Sequence, residues 1–235
     1  MNIDPIGTVR SCFGGKFAVP RQPGLCPSAW GRLEFHPKFR SPEAIRGIEG
    51  FSHLWLIFGF HETLEQGWKP TVRPPRLGGN RRMGVFASRS TFRPNGLGLS
   101  LVRLDGIDLT NPGSPVLLLG GLDLIDKTPV YDVKPYLPYA EALPDAAKGF
   151  ASGDLARLTV VVEESAAEAY ACLSQRARDV LNEVLSLDPR PAARAMEEDR
   201  VFGALLCGCN VRFTISEGLC KIGGIEPVEG SGLNA

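Results

Sequence analysis

The chain has 235 residues, 43% of them hydrophobic and 22% charged, with 26 basic residues against 26 acidic ones. That length suits one or two domains with ample area for a buried core, and the composition excludes global disorder. The longest nearly continuous apolar stretch, 51–60, spans ten residues and contains Ser52 and His53, about half of what a membrane helix needs. The opening Met1-Asn2-Ile3-Asp4-Pro5 has no basic flank or apolar run of the signal-peptide kind, so a cytoplasmic protein is expected.

The first two-thirds of the chain reads as strands. Ile6 to Phe13 is the first. Trp30 to Phe35 alternates Trp30, Arg32 and Glu34 against Gly31, Leu33 and Phe35. Ser41 to Gly47 reads as a short helical turn, with Ser41 at the cap, Pro42 at the first helical position and Gly47 at the end. Leu54 to Phe60 is apolar and aromatic enough to predict a central strand buried on both faces. Met83 to Ala87 is another strand. Leu99 to Leu109 and Val116 to Leu122, joined by Thr110-Asn111-Pro112-Gly113-Ser114, form a hairpin. So many short strands separated by turns predict a closed or nearly closed β structure.

Composition changes after Leu143, where 144–153 is small and polar. Leu158 to Val162 is a further strand, assigned to a first unit drawn over 1–163. Ser165 opens a helix, with Ser165 and Glu168 as a capping box. Tyr170, Leu173, Ala177, Val180, Leu181 and Val184 share one face of it. The helix stops before Asp188-Pro189-Arg190-Pro191, and Leu205 to Ile215 and Leu219 to Val228 read as paired strands. The fold class is thus a mainly β N-terminal unit followed by a small α+β C-terminal domain over 164–235.

The balanced charge conceals a segregation. Between Gln66 and Arg103 there is no Asp or Glu, while Lys69, Arg73, Arg76, Arg81, Arg82, Arg89, Arg93 and Arg103 fall in that block. The remainder carries 18 basic residues against 26 acidic ones. Arginine favours planar, bidentate recognition of phosphate or carboxylate. An anionic partner such as RNA fits the block better than a merely solvated loop. The six cysteines include no Cys-x-x-Cys pair and read as buried free thiols in a reducing compartment.

No Rossmann glycine fingerprint or phosphate-binding Walker loop is present. Gly96-Leu97-Gly98 lacks the third glycine. His61-Glu62-Thr63-Leu64-Glu65 ends in Glu where a zinc-protease helix needs His, so no metal is assigned. Two segments carry chemistry. Phe86 to Gly98 brings two arginines, hydroxyls and the Pro94-Asn95-Gly96 turn to one place. Leu122 to Tyr136 sets Asp123, Asp126, Asp132, Lys127 and Lys134 in an apolar, aromatic run, where carboxylates need a partner.

With these two segments, and with Phe17-Ala18-Val19-Pro20-Arg21-Gln22-Pro23-Gly24, Phe51-Ser52-His53-Leu54-Trp55, Val72 to Gly79, Asp188 to Pro191 and Asn210-Val211-Arg212, the chain resembles the bacterial tRNA N6-threonylcarbamoyladenosine methyltransferases (TsaA-like, or TrmO). The resemblance covers nearly the whole chain. It implies a non-Rossmann β-barrel that binds S-adenosylmethionine, a small C-terminal domain, a homodimer with the cofactor near the subunit interface, and a tRNA substrate. The cofactor-binding residues it implies are Pro20, Arg21, Gln22, His61, Glu62, Arg89, Leu99, Asp126, Lys127, Thr128 and Pro129. Glu62 and Gly96 depart from the family, which often has Gln and a bulkier residue there.

Methyl transfer to N6 needs alignment, exclusion of water and a weak base, for which Asp132 or Lys134 is the expectation. The carboxylate of the threonyl group calls for a cation near the base. Arg73, Arg76, Arg81, Arg82 and Arg93, with Asn95, are the expected substrate contacts, extended by Arg190, Arg194 and Arg212 of the C-terminal domain. Two other readings compete: an RNA-binding module without chemistry, and a metal-dependent hydrolase using Asp123, Asp126 and Asp132.

Overall fold

The computed structural model describes residues 3–79, 81–111, 113–153, 155–191, 197 and 200–228. Six strands close a barrel in the order β1 (Gly7–Ser11), β2 (Trp30–Phe35), β7 (Val116–Gly120), β6 (Leu97–Asp108), β3 (His53–Gly59) and β8 (Thr128–Pro135), with β8 returning to β1. Neighbouring strands are antiparallel. The period of two puts Val9, Leu33, Leu54, Leu56, Phe58, Val102, Leu117, Leu119 and Val130 into one core inside the barrel. Gly98 lies opposite Phe58 in the β3–β6 register, and a Cβ there would stand 2.3 Å from the Phe58 ring.

Two expectations about the barrel strands change. Strand β3 is central, but only its inner face is closed: His53, Trp55 and Ile57 on the outer wall are partly exposed. Met83 to Ala87 is not one strand. A two-residue ladder of β4 (Thr71–Val72) with β5 (Met83–Gly84) gives way to a 3-10 turn over Val85–Ala87. The turn at Ser41 is 3-10 as well, over Pro42–Ile45, with no side-chain cap from Ser41.

Beyond β8 come a single helical turn α1 (Pro138–Glu141) and an exposed segment, then a four-stranded sheet in the order β10 (Phe202–Leu206), β11 (Cys209–Ser216), β12 (Leu219–Pro227) and β9 (Thr159–Val162). Strand β9, read from the sequence as part of the first unit, pairs in parallel with β12 and belongs to this second sheet. The continuous strand expected over Leu205–Ile215 is a hairpin. Cys207 and Gly208 both take positive φ, 50° and 75°, and make the two-residue turn that the strand twist favours.

The helix expected from Ser165 is two, α2 (Glu164–Ala171) and α3 (Gln175–Ser186). The Ser165 hydroxyl bonds to Gly223 O instead of capping, so the capping box is absent. Ser174 caps α3 by accepting from the Ala177 N–H at 3.2 Å. Ala177, Val180, Leu181, Val184 and Leu185 of α3 bury one face in a second core with Phe202, Leu206, Val211, Phe213 and Ile222.

Residues 12–29, the connection between β1 and β2, supply Cys12, Phe13, Ala18, Cys26 and Ala29 to this second core although they spring from the barrel. Gly14 N bonds to Leu205 O, Cys207 N to Cys12 O, and both Ser28 N and Oγ to the Glu183 carboxylate. Five cysteines are buried free thiols, and Cys172 is exposed. The Cys12 side chain and burial push the Cys207 thiol far above its usual range, leaving it un-ionised and inert.

Candidate functional site

The antiparallel pairing sets the ends of β1, β3 and β7 beside the starts of β2, β6 and β8. The connections 12–29, 60–96 and 121–127 therefore share one rim of the barrel. Eight of the eleven residues expected to hold the cofactor, and the whole basic block except Arg103, lie there, while Leu99, Thr128 and Pro129 sit at the starts of β6 and β8.

The polar centre of the rim is Asp123. Ser100, whose side chain is turned inward on β6, donates its hydroxyl to Asp123 Oδ1 at 2.7 Å. Burial pushes the Asp123 carboxyl up to about 6, against the opposing pull of the Ser100 hydrogen bond and the Arg89 charge. Arg89 Nη1 in turn donates to Gln22 Oε1 at 2.6 Å. Gln22, Arg89, Asp123 and Ser100 thus come from both long connections, the short one and a barrel strand. The sequence marked Asp123 as one of a run of carboxylates needing a partner and as a possible metal ligand, and Ser100 not at all. The available signal for Ser100 was a lone hydroxyl at an inward position of an apolar strand.

The other expected cofactor residues surround this centre without all joining it. Asp126 is turned onto β1: Ser11 N–H donates to its Oδ1 at 3.1 Å, and Arg10 stands 3.7 Å from Oδ2. Thr128 closes the turn after it through Ile125 O, at 2.7 Å from Oγ1, and Lys127 is held at a φ of 66°. Glu62 is paired with Lys16 at 3.1 Å, with His61 Nε2 3.7 Å from its other oxygen. Arg21 reaches across to Arg190 O at 3.2 Å, so the second unit braces the Pro20–Gln22 segment. Leu99 is 53% exposed on the outer wall of β6, in register with Ile57. Pro129 and the Tyr131 ring lie across bare Gly59, where a Cβ would stand 3.3 and 3.0 Å from them.

Asp132 and Lys134 are exposed on the outer wall of β8, opposite Ile57 and Trp55. Among the expected substrate contacts, Arg73, Arg81, Arg82 and Asn95 are exposed on the 60–96 connection. Arg76 is engaged by Ser152 O and Gly153 O. Arg93 donates to Ser88 O at 2.9 Å and Val85 O at 3.3 Å, which makes it the internal tie of its own turn. Arg190 is only 8% exposed and forms a bidentate pair with Asp188 at 2.9 and 2.8 Å, so its guanidinium is engaged within the chain. Arg212 is half-exposed on β11 beside Glu226. Arg194 lies outside the described residues.

The three aspartates of the hydrolase reading are dispersed, on Ser100, on Ser11 and on the outer wall. Among the described residues no three His, Cys, Asp or Glu side chains converge on one point.

The family description "tRNA-methyltransferase O N-terminal domain" matches residues 8–142, and "TrmO C-terminal domain" matches 156–228. The chain belongs to the TrmO family. It is 48% identical over 229 residues to the tRNA (adenine(37)-N6)-methyltransferase of Escherichia coli K12, covering 95% of this chain and 97% of that protein. It is 46% identical over 180 residues to the protein of the same name from Eikenella corrodens, covering 77% and 99%. The crystal structure of TrmO from Pseudomonas aeruginosa superposes with a TM-score of 0.78 at 38% identity, covering 97% of each chain. In this TrmO chain the barrel and the C-terminal sheet correspond to the two family domains. No helix among its described residues is long and apolar enough to cross a membrane.

Proposed function

We propose that the chain transfers a methyl group from S-adenosylmethionine to N6 of threonylcarbamoyladenosine at position 37 of tRNA, and that it works as a homodimer. The observation that carries the reading is the end-to-end match to tRNA (adenine(37)-N6)-methyltransferases, joined to a rim that gathers an acid, a cation and apolar wall. When bound, S-adenosylmethionine supplies a methyl group already activated by a positive sulfur. The donor set fits such a molecule. Asp123 is a carboxylate whose charge is uncomfortable where it lies, so a cationic partner there is favoured. Arg89 offers a planar guanidinium to a carboxylate, and Leu99 offers apolar surface. The rim residues then orient donor and base and keep water out, which is most of what an in-line transfer needs. Asp132, or Lys134 in its neutral amine form, takes up the N6 proton.

A homodimer is supported by what one chain leaves open. The outer wall of β6, β3 and β8 presents Leu99, Leu101, Ile57, Trp55, Tyr131 and Tyr136, an apolar and aromatic strip on a barrel exterior. The cleft beside it, lined by Gly24, Pro27, His53, Leu101, Arg103, Gly120 and Gly121, holds about 150 Å³. That is below the usual ligand-site range. Asp132 and Lys134 lie on this same wall, so a second copy packed there would bring a rim to them.

Incubation with methyl-labelled donor and tRNA tests the reaction. Label on N6 of the modified adenosine is expected, with none on tRNA lacking the threonylcarbamoyl group. No transfer to either tRNA would overturn it. Sedimentation at twice the 25.4 kDa chain mass is expected, and a monomer would remove the dimer.

A further inference from the structure

The 60–96 connection exposes two large aromatic side chains in its acid-free stretch, Phe86 at 74% and Trp68 at 55%. Leaving such rings in water is unfavourable, and the turn that carries Phe86 is held firmly. Its 3-10 turn is tied down by Val85 N to Pro70 O at 3.0 Å, Ser88 N and Oγ to Val85 O at 3.2 and 2.9 Å, and the two Arg93 bonds to Val85 O and Ser88 O. Lys69 N bonds to Phe92 O, so the segment bearing Trp68 runs beside the one bearing Phe86. The Arg93 guanidinium lies 5.8 Å from the Phe86 ring, and Lys69 Nζ lies 4.0 Å from the Phe92 ring. Phe86 is thus an outward-held aromatic face with a cation beside it.

We propose that Phe86, with Trp68 beside it, is a stacking platform for unpaired nucleobases of the tRNA anticodon loop. The proposal rests on the tRNA reading above and names the surface that reads the loop. A nucleobase offers a π face to the ring while its phosphate meets the neighbouring cations, and such stacking tolerates any base. Arg93, expected from the sequence to touch substrate, becomes the residue that holds the platform out. A ring fixed among cations, with no acid within the block, suits a polyanion better than an apolar protein surface.

The test uses the full chain and a threonylcarbamoylated anticodon stem-loop, with affinity read by fluorescence anisotropy. Phe86→Ala and Phe86→Leu are each expected to weaken RNA binding by roughly tenfold or more, and Phe86→Tyr to stay within about threefold of wild type. Trp68→Ala is expected to weaken it as well. Melting temperature, sedimentation mass and donor affinity are expected to stay unchanged in all four. Retained RNA affinity in Phe86→Ala or Phe86→Leu would overturn the proposal. A fall in sedimentation mass would overturn it in favour of a contact between copies. A wild-type chain that binds no tRNA would remove the tRNA reading and this proposal together, which distinguishes that failure from the loss of the platform alone.

Discussion

Asp123 is the residue on which the rim's electrostatics turn. Its folded pKa of about 6 lies above the ordinary 3.8, so the folded chain binds its proton more tightly than the unfolded chain does. Stability from this group is therefore present below the ordinary value and is lost as pH rises through the window from about 4 to 6. Asp123→Asn removes that loss. The variant is expected to be more stable than wild type by roughly 1–3 kcal/mol at pH 7, with the gap closing near pH 4. Donor affinity should move the other way. In wild type it is expected to fall about tenfold per unit below pH 6, as the carboxylate that faces the cation is neutralised, whereas Asp123→Asn binds weakly and without that dependence. Calorimetry across pH measures both, and a wild-type affinity flat from pH 5 to 8 would rule out the assignment.

Lys127 is a second residue whose conformation carries information. A φ of 66° is awkward for a side chain by about 1–2 kcal/mol, and glycine would hold it more easily. Strain of this kind clusters at functional sites. Lys127→Gly is expected to raise the melting temperature by about 1–3 °C while weakening donor binding, read from thermal melts with and without donor. Sequence reading named Gln22 and Arg89 separately as cofactor candidates, and the fold sets the two in hydrogen-bond contact at 2.6 Å. What sequence could not show was partner choice. Asp126 and Asp123 stand three apart in one motif, yet one faces β1 and the other the rim, because β7 runs out at Gly120 and the chain must turn between them.

At the level of elements, strands were readable as short apolar or alternating runs between turn residues. These runs located β1, β2, β3 and the β6–β7 hairpin to within a few residues, although the one-sided burial of β3 was not read. The helix break was not readable. Leu173 and Ala177 continue the apolar spacing of Ala166 and Tyr170 without a slip, so the pattern runs in phase across a gap that Ser174 makes with one hydrogen bond. Ser174→Ala is expected to lose about 1 kcal/mol in chemical denaturation. Ser165→Ala should lose less, since Ser165 caps nothing and bonds only to Gly223 O on an exposed edge. Equal losses for the two would mean that Ser174 is not the stop signal. The misplaced β9 has a similar origin: nothing local distinguishes a strand that pairs with β12, nearly sixty residues later, from one that closes a barrel.

For the whole molecule, the two units are not a catalytic half with a detachable RNA arm. Phe13, Cys12, Cys26 and Ala29 are fully buried only because α3 and the second sheet cover them, and the Pro20–Gln22 segment hangs from that anchorage through Arg21 and Arg190. A chain ending at residue 155 is thus expected to lose donor binding along with tRNA affinity, and to lose a cooperative melt. A truncated barrel that melts sharply and binds donor as the full chain does would refute this.

The β1–β2 connection, which springs from the barrel yet is buried in the second core, also limits how the protein can be shuffled. In chimeras between relatives, the natural seam near residue 150 would leave that connection facing a foreign α3 and β10. Residues 12–29 should have to travel with the C-terminal half for the hybrid to fold, so inheritance of that stretch ought to follow the far end of the gene and not its neighbours in sequence.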